Sequence, residues 1–289
     1  MLSNGSAYMN PKMFYNTISS TNSASVGGDL QESRYHSGAG GPTYAFWIGG
    51  WNGSTRADTI EYQAYSSPGN NAGDWGNLTF GAQSYQTCDS DSRTITWGGY
   101  GNGTNGSLSL YYSAMNYWNN TSTGNASAFG NTAPVTCNSS YYGKYSGMAV
   151  SNGTRGEKWA GMGYTGWSGD GGCNYIGNLN IDYVTIASQG NAINFGDQTV
   201  AASFRGGFSN QIRCGAMGGE TPSASDVIDY VTIASTGDAI DFGDTTNCKF
   251  GTKGVASRIR GVFMGGETSP GSYTNSMEYI SIDKPSLLS

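Results

Sequence analysis

The sequence predicts an all-β protein, a five-bladed β-propeller, and three observations predict it. The octapeptide "IDYVTIAS" stands at 181–188 and again at 228–235, an interval of 47 residues. Strands that end in a glycine pair recur along the chain, at "YAFWIGG" (44–50), "TITWGG" (94–99), "KWAGMG" (158–163), "CGAMGG" (214–219) and "GVFMGG" (261–266). The segments between Gly, Ser and Asn clusters are rich in β-branched and aromatic residues, and no stretch has a helical period long enough to compete.

Composition sets the class. Glycine supplies 46 of 289 residues and charged residues only 12 %, while aromatics reach 13 %. A chain with that many Tyr and Trp buries a core, so the low charge does not signal disorder. The net charge of −6 and the lack of a basic patch argue against a nucleic-acid partner and against adhesion to anionic lipid. The opening "MLSNGSAYMNPKMFYN" has no basic segment followed by an apolar run, and no apolar stretch approaches the ~18 residues of a membrane helix. The expectation is a soluble chain without membrane insertion. Five cysteines, an odd number with no C-x-x-C pair, indicate neither a disulfide framework nor a zinc site.

The elements follow in chain order as one domain, 1–289. Residues 1–42 read as an N-terminal arm with ring-closing strands, 43–283 as repeats and 284–289 as a tail. Two further landmarks mark each repeat. One is an acidic or apolar residue before Tyr, at Tyr62, Tyr111, Tyr183, Tyr230 and Tyr279, with an earlier cousin at Tyr15 in "MFYNTIS" (13–19). The other is an aromatic or apolar residue before Gly, at Val26, Trp75, Phe129, Phe195 and Phe242. From this last landmark to the next glycine pair is 24 residues in four of five cases, counting to Gly50, Gly99, Gly219 and Gly266. The exception, Phe129 to Gly163, marks the region 111–183 as carrying elaborated loops. "DVIDYVTIA" is apolar on both alternating faces, so each strand is covered from both sides. Four-stranded units of this kind shelter one another by stacking in a ring. The strand near Val26 is expected to complete the last blade, leaving "MFYNTIS" surplus, to add an edge strand or to reach a second copy and form a homo-oligomer.

No catalytic set emerges. The single histidine, His36, has no nucleophile elbow with it. "CDSDS" (88–92) and "GDGG" (169–172) read as solvated turns rather than a calcium loop. Glu220 and Glu267 hold the same place in adjacent repeats, which repetition explains more cheaply than a glycosidase pair. Asp29, Asp197 and Asp244 also recur by repeat and read as turn caps. No catalytic residue, metal or cofactor is therefore expected. The candidate binding residues are aromatic. The position after the glycine pair reads Trp51, Tyr100, Tyr164, Glu220 and Glu267, which symmetry gathers near one face, and the elaborated region adds Tyr117, Trp118 and Trp167. Aromatic faces stack on sugars and anchor interfaces. Trp47, Trp97 and Trp159 lie within strands and are assigned to packing between blades.

A glycine pair closing a strand, with Tyr about a dozen residues on, resembles kelch repeats, although the downstream kelch Trp is not matched. The units "IDYVTIASQGNAINFGDQT" (181–199) and "IDYVTIASTGDAIDFGDTT" (228–246) resemble repeats in virion structural proteins of marine tailed bacteriophages, notably cyanophages. The match covers about 181–283. It implies a non-enzymatic virion component, in a tail fibre, tail tip or surface decoration, whose partners are other virion proteins and a host surface glycan or protein. A soluble lectin-type propeller is the alternative, and a glycan depolymerase a third reading.

Overall fold

The computed structural model of the protein describes residues 11–15, 25–32, 34–102, 109–133, 135–137, 140–142, 144–145, 147–159, 162–165, 173–177, 179–220 and 223–283. Among them every regular element is a strand. β1 (Lys12–Tyr15) and β2 (Ser25–Asp29) form an antiparallel pair. Blade one is β3 (Ser37–Gly40), β4 (Tyr44–Ile48), β5 (Thr59–Ala64) and β6 (Gly73–Asn77). The short β7 (Ala82–Gln83) leads to blade two, β8 (Gln86–Asp89) and β9 (Arg93–Trp97), then past the loop strands β10 (Tyr100–Asn102) and β11 (Ser109–Tyr111) to β12 (Ala114–Asn119) and β13 (Ser127–Asn131). The connection onward holds β14 (Val135–Cys137), β15 (Ser140–Tyr142) and β16 (Lys144–Tyr145). Blade three starts with β17 (Met148–Ser151) and β18 (Arg155–Trp159); after the loop strands β19 (Met162–Thr165) and β20 (Cys173–Gly177) it finishes with β21 (Asn180–Thr185) and β22 (Ile193–Asp197). Blade four is β23 (Gly206–Ser209), β24 (Arg213–Met217), β25 (Val227–Thr232) and β26 (Ile240–Asp244). Blade five has three strands, β27 (Lys253–Ala256), β28 (Arg260–Met264) and, beyond the loop strands β29 (Glu267–Ser269) and β30 (Ser272–Tyr273), β31 (Met277–Ser281).

The protein is a five-bladed β-propeller, as the repeat predicts. The first strand of each blade lies innermost, with β3, β8, β17, β23 and β27 packed as successive neighbours around the channel. Tyr183 pairs with Glu157 and Ile193, and Tyr230 pairs with Gly215 and Ile240, so the two octapeptides are one strand in adjacent blades. The landmarks Tyr and Phe/Trp meet within each complete blade. Tyr62–Trp75, Tyr117–Phe129, Tyr183–Phe195 and Tyr230–Phe242 are edge-on pairs with centroids 5.0, 5.9, 5.7 and 5.6 Å apart. Blade two therefore uses Tyr117, not Tyr111, as its landmark tyrosine.

Blades one, two and three each hold the next by a repeated contact. Asn77 N–H donates to Asn125 Oδ1 (2.9 Å) and Asn77 O accepts from Ala126 N–H (2.8 Å). Asn131 does the same with Asn191 and Ala192, and Asp197 with Asp238 and Ala239. Arginines at the start of the second strand add a clamp. Arg93 reaches Ile186 O and Ala187 O, Arg155 reaches Ile233 O and Arg213 reaches Ile282 O, each in the next blade. Each guanidinium also lies over the landmark Tyr of its own blade, 4.6, 4.4 and 5.1 Å from the centroid.

Three further sequence expectations are corrected. First, β2 takes the outer-strand seat against blade one, since Asp29 N–H donates to Asn71 Oδ1 and Asp29 O accepts from Ala72 N–H. Its ladder partner, however, is β1 and not β31. Second, Phe14 pairs with Val26 as Glu61 pairs with Asp74, which puts Gly27 and not Val26 at the place of Trp75. Third, Trp159 pairs with Ile181 as Trp97 pairs with Met115, so the second strand of blade three ends at Trp159 and Gly163 falls in β19. Trp97 and Trp159 are buried between blades, whereas Trp47 is half-buried.

Candidate functional site

In an antiparallel blade, strand direction alternates, so the first and third turns share one face and the second turn shares the other with the link to the next blade. In blades two to five the first turns are short and capped by their own side chains. Ser90 Oγ accepts from Arg93 N–H, Asn152 Oδ1 from Arg155 N–H, Asn210 Oδ1 from Arg213 N–H and Ser257 Oγ from Arg260 N–H, at 2.8–3.1 Å. All the described loop strands, β7, β10, β11, β14, β15, β16, β19, β20, β29 and β30, belong to the other face. That face is the candidate site.

The glycine pair builds its rim. Gly49 and Gly50 have φ of 52° and 105°, a combination that non-glycine residues avoid. A Cβ on Gly49 would sit 2.6 Å from Ala82 O. Gly50 N–H donates to that same Ala82 O (2.9 Å), which ties the loop of blade one to the link into blade two; Gly219 N–H does likewise with Lys249 O (2.8 Å). The residue after the pair then bonds back to the link entering its own blade. Tyr35 N–H donates to Trp51 O, Tyr100 ladders with Gln83, Glu220 bridges Ser203 and Glu267 bridges Phe250. Four of the five expected positions thus ring the channel mouth.

The side chains there are engaged. Trp51 stacks on the exposed Tyr35, with centroids 6.1 Å apart and planes at 15°. Arg56, from the loop of blade one, lies 4.1 Å from the Tyr100 ring centroid. The mouth opens into a cavity of about 610 Å³ whose wall includes His36, Gln86, Met148, Arg205 and Lys253. Between blades four and five a smaller cleft of about 520 Å³ is lined by Phe204, Phe250, Met264, Tyr273, Glu220 and Glu267. Phe204 has φ of 56° at the place blade five fills with Gly251 (φ 68°). The opposite mouth is a cavity of about 740 Å³ lined by the capped turns, including Asp89 and Asp91.

The other predicted residues lie elsewhere. Trp118 is corrected: it is 2 % exposed and packs edge-on against Phe46 (5.6 Å) in the core between blades one and two. Tyr117 is half-buried inside its blade between Phe129 and Arg93. Tyr164 is in β19, two residues past the symmetric position, which is Met162. Trp167 and the "GDGG" segment lie outside the described residues. His36 is half-buried, donates from Nε2 to Glu32 O (3.2 Å), and has its pKa lowered chiefly by burial. In "CDSDS", burial first and Asp91 second push the Asp89 carboxyl up to about 6, while the buried Cys88 accepts from Trp97 Nε1 (3.1 Å).

Two anchor sets escaped the sequence reading. The residue before the landmark Tyr is an acceptor for the incoming link, buried in the first three cases and half-buried in the fourth: Glu61 takes Gln31 N–H, Asn116 takes Thr79 N–H, Asp229 takes Thr199 N–H and Glu278 takes Thr246 N–H. Its signal, the acidic residue of the "DY" and "EY" pairs, was visible without its role. The Asx residues 71, 125, 191 and 238, each followed by Ala, carry the contact between blades; Asp29, Asp197 and Asp244, expected as turn caps, instead end strands, and the first two donate their N–H to Asn71 and Asp238. Among the described residues, no group of three His, Cys, Asp or Glu is placed to hold a metal ion. No protein-family model matches the chain, and no curated protein matches it.

Proposed function

We propose that this propeller is a non-enzymatic virion component, displayed on a phage particle through its smooth turn face and contacting a host surface glycan or protein through its loop-rich face. The observation that supports this reading most is the asymmetry of the two faces. The turn face is made of short, self-capped turns, whereas the described loop strands gather on the other around one mouth. The resemblance of 181–199 and 228–246 to cyanophage virion repeats supports that location. Trp51 and Tyr100 carry the contact, because both sit on the rim and neither is fully buried. The test is particle proteomics with density from purified virions, followed by host adsorption with Trp51→Ala and Tyr100→Ala particles. Absence of the protein from particles sinks the reading; unchanged adsorption removes the two rim residues from it.

The cleft between blades four and five favours a second reading, a lectin-type propeller. Phe204, Phe250 and Tyr273 offer stacking faces beside the carboxylates of Glu220 and Glu267. A glycan array with no binder at millimolar concentration disposes of it.

A further inference from the structure

The chain carries six copies of the third strand for five blades. β1 is one of them. Its ladder with β2 runs Lys12↔Asp29, Phe14↔Val26 and Tyr15↔Ser25, with an irregularity before Phe14. That is the register of Thr59↔Asn77, Glu61↔Asp74 and Tyr62↔Gly73, with the irregularity before Glu61. β31 is another, since Met277 pairs with Met264 as Ile228 pairs with Met217. The seat beside blade one is taken by β1 and β2, with Met13 5 % exposed.

Blade five is correspondingly bare on the side that should meet blade one. Met277 is 71 % exposed, Tyr279 59 % and Val255 54 %. Their counterparts of Met277 in blades two to four, Met115, Ile181 and Ile228, are all 0–1 % exposed. On the facing side, Trp47 is half-buried and Tyr65 exposed, whereas the counterparts of Tyr65 in the other blades, Asn120, Ile186, Ile233 and Ile282, are all buried. Arg260 stands where Arg93, Arg155 and Arg213 clamp the next blade, and it is exposed.

We propose that β1 and β31 are alternative third strands for this one seat, and that β2 exchanges β1 for β31. The exchange closes the ring, covers Met277, Tyr279 and Val255 with blade one, brings Arg260 to Tyr65 O and releases the chain through Tyr15 as an arm. β31 is the better occupant of the closing blade. Its Glu278 accepts Thr246 N–H (2.9 Å) and pairs with Lys249, whereas β1 offers Phe14 at that place, with no acceptor.

Disulfide trapping in the full chain tests the exchange. Ser25→Cys with Tyr15→Cys reports the pairing seen here, and Ser25→Cys with Tyr279→Cys reports the exchanged one; peptide mapping separates both from the native thiols. The expected result is a 25–279 link within one chain. Met13→Asp, which puts a charge into the seat that β1 occupies, raises that link about tenfold or more, and Met277→Asp removes it. No 25–279 link in either the parent or the Met13→Asp background, while the 15–25 link forms, overturns the proposal. So does a 25–279 link found only between chains, or one that Met277→Asp leaves intact.

Discussion

Replacing Trp118 by Ala separates a core role from a binding role. The indole lies between blades one and two against Phe46, in a cluster with Ile48, Ile60 and Trp75. A Trp buries roughly 150–250 Å², which at about 25 cal/mol per Å² corresponds to about 4–6 kcal/mol. Partial collapse of the site brings the expected loss to about 3–5 kcal/mol. For a chain of 289 residues, whose unfolding entropy is about 0.6 kcal/mol/K, that is a fall in Tm of about 5–8 °C. Trp118 Nε1 donates no hydrogen bond, so Trp118→Phe should cost about 1–2 kcal/mol only. Trp51→Ala, on the half-exposed rim, should cost under about 1 kcal/mol. Urea titration of the three variants, read by fluorescence and circular dichroism, gives the ranking. A Trp118→Ala protein as stable as its parent, or less affected than Trp51→Ala, refutes the core assignment.

Three further outcomes follow from the same geometry. Gly49→Ala forces a Cβ to 2.6 Å from Ala82 O at φ 52°, and should lower stability by about 1–3 kcal/mol in a urea titration. Arg213→Ala removes the 2.8 Å bond to Ile282 O and the cation over Tyr230, for about 1–2 kcal/mol, while Arg260→Ala, which with β2 on β1 removes only the cation 4.9 Å from the Tyr279 ring centroid, should cost about 0.5–1 kcal/mol. Burial raises the pKa of Glu157, whose carboxylate accepts from Cys214 Sγ and Trp159 Nε1. The folded protein then holds that proton more tightly than the unfolded chain, so stability falls as pH climbs from about 4.5 through the raised value. Asp89, raised to about 6, acts in the same sense. Glu157→Gln should flatten that slope in Tm measured across pH 4 to 8.

The sequence by itself determined the period, the strand positions and the blade count. It could do so because a strand's ladder and its two alternating faces depend on residues close in the chain, and the repeat wrote them several times over. It also held the answer for Trp118: counted from Tyr117, that residue takes the place of Val184 and Val231, which the octapeptide marks as core. Spacing alone was a poorer guide in blade three, where a second glycine pattern two residues on displaced the true strand end and carried Tyr164 with it.

Tertiary structure decided what depends on neighbours. A side chain on one face of a blade is buried only if the next blade covers it, so Met277 and Ile228 hold the same place in the repeat and differ from bare to buried. The partner of β2 was likewise a competition between two strands of equal pattern, β1 and β31, and pattern cannot rank equal competitors. The arginine clamps, the Asx contacts between blades and the gathering of Trp51, Tyr100, Glu220 and Glu267 around one mouth all join residues from different blades or separate segments. Their geometry is set by how the sheets stack, which no single repeat encodes.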